Sequence, residues 1–316
     1  MASVRGTPTP RQLIIGVRDD TGMVRSNNED NHCALLPPNT PVGVGGILAV
    51  ADGVGGHDGG EIASQIAIDG VANLLGRAAG PKNINDVDPA ALLHRAIVDI
   101  NRQVFHAAVE RQGRSAMATT LSIALVTGST LWMGHVGDSR VYLYRDNVLE
   151  QLTPDHSWVA EEVARGAMTP EEAATDRRRN LLTRAVGTAE DVEPATLKME
   201  LLPGDTVLLC SDGLYGLVSD EHIAAVLESK TPEEAADILI EMANTAGGTD
   251  NITAIVARIL TIEHLPGSVW SEDCASDTII SSGSNGDDSG ASQRRPIRSI
   301  WTGIRVIGRL LWRGKL

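Results

Sequence analysis

The sequence predicts an α+β domain, on three observations. Strand and helix signals are mixed from Leu13 to Ile262. Residues 119–145 read as consecutive strands of an antiparallel meander. Two segments open with the helix-capping pattern Thr-Pro-Glu-Glu, at 169–172 and 231–234.

The elements follow in order. LIIGV (13–17) and GGILAVADG (45–53) are apolar runs that end in turns, as buried strands do. From Glu61 to Leu75, apolar side chains recur at helical spacing at Ile62, Ile66, Val71, Leu74 and Leu75. A second helix is expected from Asp88, with Pro89 in its first turn and an apolar face of Leu92, Leu93, Ala96, Ile97, Ile100 and Val104. TTLSIALV (119–126), TLWMGHV (130–136) and RVYLYR (140–145) form the expected meander. Residues 155–183 are polar and loosely helical. DTVLLCSDG (205–213) is another buried strand, TPEEAADILIEMA (231–243) a capped helix, and NITAIVARIL (251–260) a final strand.

Composition narrows the classes. The 316 residues carry a net charge of −14, and aromatic residues make up 3%. An acidic chain poor in stacking side chains argues against nucleic-acid binding by the main domain. The three cysteines, Cys33, Cys210 and Cys274, have no paired spacing, so neither a disulfide framework nor a zinc site is expected. There is no signal-peptide pattern and no apolar run long enough to span a bilayer, so a cytoplasmic location is expected. Residues 1–12 are expected to be a flexible N-terminus and the Ser/Gly/Asp-rich 263–293 a disordered linker. Residues 294–316 form a basic amphipathic segment carrying every cation of the last stretch, Arg294, Arg295, Arg298, Arg305, Arg309, Arg313 and Lys315. It could lie on an anionic membrane, sit in a partner groove, dock on the acidic body or stay disordered.

One pattern recurs four times: an aspartate beside glycine or asparagine at the mouth of an apolar strand. The sites are AVADGVGGHDGGE (49–61), GHVGDSR (134–140), LLCSDGLYG (208–216) and GGTDNITAIV (247–256). Singly, each reads as a turn. Together, they would gather carboxylates that repel until a dication neutralises them. Hard oxygen ligands suit magnesium or manganese. Two such ions ~3.5–4 Å apart would activate a water for attack on phosphorus.

These residues resemble the PPM metal-dependent protein phosphatases (type 2C), in their compact bacterial form. The resemblance spans residues 13–260 and rests on ordered motifs: DDTGMVRSNNED (19–30), ADGVGGHDGGE (51–61), MATTL (117–121), VGDSRVYLYR (136–145), LTPDHS (152–157), LLTRAVG (181–187), GDTVLLCSDGL (204–214) and GGTDNIT (247–253). Ala118 stands where the family commonly has glycine, and Val54 where it commonly has methionine; neither removes a ligand.

The resemblance implies a four-layer α-β-β-α sandwich over 13–262, with two antiparallel sheets and a flap at 155–183. It implies that Asp52 bridges two Mn²⁺ or Mg²⁺ ions, with the Gly53 carbonyl on the first and Asp212 and Asp250 on the second. Asp138, with Asp212, matches the holder of a third, weaker ion. Asp30 matches an acid that orients water, Arg25 the arginine that grips the substrate phosphate, and His57 is the candidate acid for the leaving oxygen. The implied activity is hydrolysis of phosphoserine and phosphothreonine in proteins, opposing serine/threonine kinases in signalling, by a chain expected to be monomeric. The alternatives are a narrow phosphatase for one regulatory phosphoserine protein, or a pseudophosphatase that only binds a partner.

Overall fold

The computed structural model describes residues 13–55, 59–78, 80–111 and 117–261. The expected N-terminal segment, linker and basic tail lie outside the described residues.

Eleven described strands build two sheets. One contains β1 (Leu13–Asp20), β11 (Ile252–Ile259), β10 (Thr206–Cys210), β7 (Arg140–Arg145) and β8 (Val148–Gln151), in that order. The other runs β2 (Asp30–Leu35), β3 (Gly46–Gly55), β5 (Leu121–Thr127), β6 (Thr130–Val136) and β9 (Ala195–Glu200), and the short β4 (Met117–Thr119) pairs with the end of β3. Every pairing is antiparallel.

Three apolar interfaces make four layers. Leu48 and Val50 of β3 pack with Ala124, Met133, Leu143, Leu209 and Ile255 between the sheets. Their neighbours Ile47, Ala49 and Ala51 point the other way, onto α1 (Gly59–Leu75) and α2 (Pro89–Glu110) through Ala63, Ala67, Val71, Ile97 and Ile100. On the opposite face, Leu208, Cys210, Ala254 and Val256 pack against α6 (Asp220–Ser229) and α7 (Pro232–Thr245) through Ile223, Leu227, Ala236 and Leu239. A strand covered on both faces reads as an unbroken apolar run, and for this reason GILAVA and TVLLC carry no alternation.

The caps form where the sequence places them. Thr169 and Thr231 accept from the backbone N–H of Glu172 and Glu234, whose carboxylates bond back to the cap N–H, opening α4 (Pro170–Thr175) and α7. Asp88 caps α2 through the Ala90 N–H. Among the described residues, the remaining helices are α3 (Trp158–Ala164), the single turn α5 (Asp212–Tyr215) and a 3-10 turn at Ile84–Asp86.

The meander expectation is corrected. β5 and β6 pair, but β7 leaves them and joins β10 and β8 in the other sheet. The crossing occurs at Gly137, whose φ of +107° suits glycine alone, and Asp138 stands at the crossing point. Among the described residues no helix is long and apolar enough to cross a membrane.

Candidate metal centre

Five carboxylates, Asp30, Asp52, Asp138, Asp212 and Asp250, meet where strand ends from both sheets open. Asp52 lies near the end of β3, opposite Asp30 in the β2–β3 register. Its backbone is fastened on both sides: the Asp52 N–H donates to Thr120 Oγ1 at 2.9 Å, while its carbonyl accepts from the Thr120 N–H and from Thr119 Oγ1, each at 2.9 Å. Gly53 allows a tight approach, since a Cβ there would lie 2.4 Å from the Gly60 carbonyl oxygen and 2.6 Å from that of Glu29.

Asp212 opens α5 directly after β10. Gly213 behind it is packed so closely that a Cβ would sit 2.0 Å from the Asn251 carbonyl oxygen. Asp250 precedes β11 and accepts from the Asn251 N–H at 2.9 Å and from Arg25 Nη2 at 2.8 Å. Arg25 itself is half exposed, at the rim.

Electrostatics bind these positions together. Desolvation raises Asp52 well above the ordinary carboxylate range, and Asp30, Asp212, Asp138 and Asp250 add like-charge repulsion. Burial pushes Asp138 up to about 7, with Asp212 and Asp155 reinforcing it. Asp212 rises to about 6 through burial and Asp250, despite a hydrogen bond with Asp52 and the nearby cations Arg25 and Arg140. Burial also lifts Asp30 to about 7. Its Oδ2 accepts from Ser211 Oγ at 2.6 Å and Thr253 Oγ1 at 2.7 Å, whereas Oδ1 is buried without a hydrogen-bond partner.

An acidic set held this far above its ordinary range, with one buried oxygen unpaired, fits a divalent cation: the ion would remove the repulsion and favour deprotonation. The donors are all oxygen, as magnesium and manganese prefer. Among the described residues, no three acidic, histidine or cysteine side chains close into a finished ligand set.

The structure thus brings Asp30, Asp52, Gly53, Asp138, Asp212, Asp250 and Arg25 to one end of the sandwich. His57 lies outside the described residues. His135 and His156, read from the sequence as a strand and a loop residue, occupy those places; both are buried, and desolvation lowers them to about 4 and about 3, so both are neutral at neutral pH.

Supporting residues went unassigned in the sequence. Asn251 latches the β1–β2 loop, accepting from the Glu29 N–H at 2.8 Å and donating to the Thr21 and Asn27 carbonyls at 2.9 Å. Ser211, Thr253 and Thr120 hold Asp30 and Asp52. Each falls inside a quoted motif, and that was the available signal.

The flap, residues 155–183, is rooted at the same end. Asp155 takes both a 2.9 Å and a 2.7 Å bond from Arg140, Ser157 bridges Leu182, and Thr119 bridges Val186.

Comparison with known proteins gives a consistent result. The family described as Protein phosphatase 2C matches residues 27–260. The serine/threonine protein phosphatase PstP of Mycobacterium tuberculosis is 38% identical over 313 residues, covering 93% of this chain; the chain spans only 57% of that relative's length. The serine/threonine phosphatase stp of Listeria monocytogenes is 37% identical over 247 residues, covering 77% of this chain and 95% of the relative. The solved structure of M. tuberculosis PstP superposes with a TM-score of 0.70 at 38% identity, over 79% of this chain and 99% of that one. The PstP catalytic domain solved in complex with two manganese ions gives a TM-score of 0.67 at 38% identity, over the same shares of the two chains.

Proposed function

The chain belongs to the protein phosphatase 2C family, and on that premise we propose that it is a metal-dependent phosphatase acting on phosphoserine and phosphothreonine in proteins. One observation carries the reading: Asp30, Asp52, Asp138 and Asp212, each held above its ordinary range, share an end of the sandwich with Asp250, and an arginine stands at the rim. Asp52 and the Gly53 carbonyl, with Asp212 and Asp250, would hold two manganese or magnesium ions, and Asp138 with Asp212 a third. When bound, such ions supply Lewis-acid activation of water and neutralise charge on the phosphoryl group.

The chain's own residues do the rest. Arg25 offers a planar fork to two phosphate oxygens and so orients phosphorus for in-line attack. The charge-paired position beside Asp250 keeps that fork at the rim before substrate arrives. Asp30, anchored through Oδ2 by Ser211 and Thr253, offers its unpaired Oδ1 as acceptor for the attacking water. His57 gives its proton to the leaving serine or threonine oxygen, so that water and phosphoester become alcohol and phosphate. Serine/threonine kinases and their targets are the expected counterparts. A binding-only role has less support, because Asp52, Asp212 and Asp250 are all in place.

The test is hydrolysis of p-nitrophenyl phosphate and of a phosphothreonine peptide with manganese, magnesium or EDTA, wild type beside Asp212→Asn. Metal-dependent turnover that EDTA and the substitution abolish is expected. Folded protein without turnover under any metal would overturn the enzyme reading and leave the binding role.

A further inference from the structure

Tyr215 joins two of the carboxylate-bearing loops. It sits in the same helical turn as Asp212, and its hydroxyl donates to the Asp138 carbonyl at 3.0 Å. The bond therefore ties the α5 turn of one strand end to the β6–β7 crossing of another. Its ring is held in turn, because the Arg140 guanidinium lies 3.6 Å from the ring centroid.

Arg140 has little freedom of its own. Nε and Nη2 donate to the two Asp155 oxygens at 2.9 and 2.7 Å, and Nη1 donates to the Tyr142 hydroxyl at 2.8 Å. A guanidinium fixed by a carboxylate fork and laid on an aromatic face makes a rigid support. On the other side of Asp138, the Gly137 N–H donates to His156 Nδ1 at 3.1 Å, and the Gly137 carbonyl accepts from the His156 N–H at 2.8 Å. Ser139 is bound to Thr120 and Ser122 through 2.6 Å contacts. Of these fastenings, the Tyr215 bond alone comes from the turn that carries Asp212.

We propose that Tyr215, clamped by the Arg140–Asp155 pair, is a positioning residue that sets the distance between Asp138 and Asp212 and thereby how tightly these two carboxylates hold a divalent cation. This rests on the metal-centre reading given above. The physical reason is the opposition of two requirements. Like charges push the two carboxylates apart, while oxygen ligands must lie at ~2.0–2.2 Å from an ion such as Mg²⁺ or Mn²⁺, so the gap between their loops has to be limited. A hydroxyl-to-carbonyl bond braced by a stacked arginine limits it without using a ligand atom of either side chain.

Titration calorimetry of Mn²⁺ into the metal-stripped full chain tests this, with wild type, Tyr215→Phe and Asp138→Asn compared. Phenylalanine keeps the ring on Arg140 and removes only the hydroxyl. The expected result is a roughly tenfold weaker last binding step in Tyr215→Phe, with the tighter steps unchanged, and loss of that step in Asp138→Asn. An isotherm identical to wild type overturns the positioning role. Equal weakening of every step also overturns it, since that reports a general loosening of the fold. Should Tyr215→Phe fail to fold, Arg140→Lys keeps the charge but loses the fork and the planar stack, and is expected to weaken the same step alone; unaltered binding there overturns the proposal. Absence of Mn²⁺ binding in folded wild type would instead overturn the metal-centre reading.

Discussion

Asp30 and Asp52 are direct cross-strand partners in the antiparallel β2–β3 pair. Like charges placed opposite each other destabilise a sheet, and these two are also desolvated. Asp30 is raised to about 7 and Asp52 well above the ordinary range, so the native metal-free protein keeps protons that the unfolded chain releases above its ordinary carboxylate value near 3.8. Stability of the metal-stripped protein is therefore expected to fall as pH rises from about 4 through 7, and to go on falling until Asp52 has also lost its proton. Saturating Mn²⁺ should cancel the fall, because the ion binds the deprotonated form. Calorimetric melting between pH 5 and 8, with EDTA and with Mn²⁺, reads this directly; a flat EDTA series would contradict it.

Arg25 is half exposed and bonds Asp250, so its removal should leave the fold intact. Arg25→Ala is expected to lower kcat/KM for a phosphothreonine peptide by about 10–100-fold, the equivalent of ~1.5–3 kcal/mol for a charged hydrogen bond. Arg25→Lys should recover only part, since an ammonium lacks the fork. Steady-state kinetics decide, and a wild-type value for the alanine variant would remove Arg25 from the phosphate site.

Gly53→Ala places a methyl against backbone atoms that cannot rotate away, 2.4 Å from Gly60 and 2.6 Å from Glu29. An overpacking cost of ~1–3 kcal/mol is expected. At ~2–4 °C per kcal/mol for a domain of this size, the melting temperature should drop measurably. Mn²⁺ affinity should fall as well, because the carbonyl offered to the metal moves. Unchanged affinity in a folded variant would exclude the Gly53 carbonyl as a ligand.

Thr120→Val preserves shape but removes the acceptor for the Asp52 N–H and the partner of Ser139 Oγ. Thr120 is fully buried, so the orphaned donor should cost about 1–3 kcal/mol, read as a lower melting temperature, while Thr120→Ser should retain most of the stability. Equal melting of valine and wild type would mean that water replaces the hydroxyl.

The sequence by itself determined what is local. Apolar runs marked β3, β10 and β11, the Thr-Pro-Glu-Glu caps marked α4 and α7, and four aspartate turns marked the strand mouths, because backbone propensity and capping act over a few residues. Short or half-exposed elements escaped: β8 is a four-residue edge strand with little apolar patterning, and β9, at the edge of the other sheet, alternates Ala195, Leu197 and Met199 with polar residues over only six positions. Tertiary structure alone decided which strand mouths meet. It sent β7 into the other sheet at Gly137, and it brought Ser211 and Thr253, 181 and 223 residues away in sequence, onto one oxygen of Asp30. It also set Tyr215 against the carbonyl of Asp138. The physical reason is that hydrogen bonds and repulsion among buried groups depend on distance in space, and that distance exists only once the two sheets have packed.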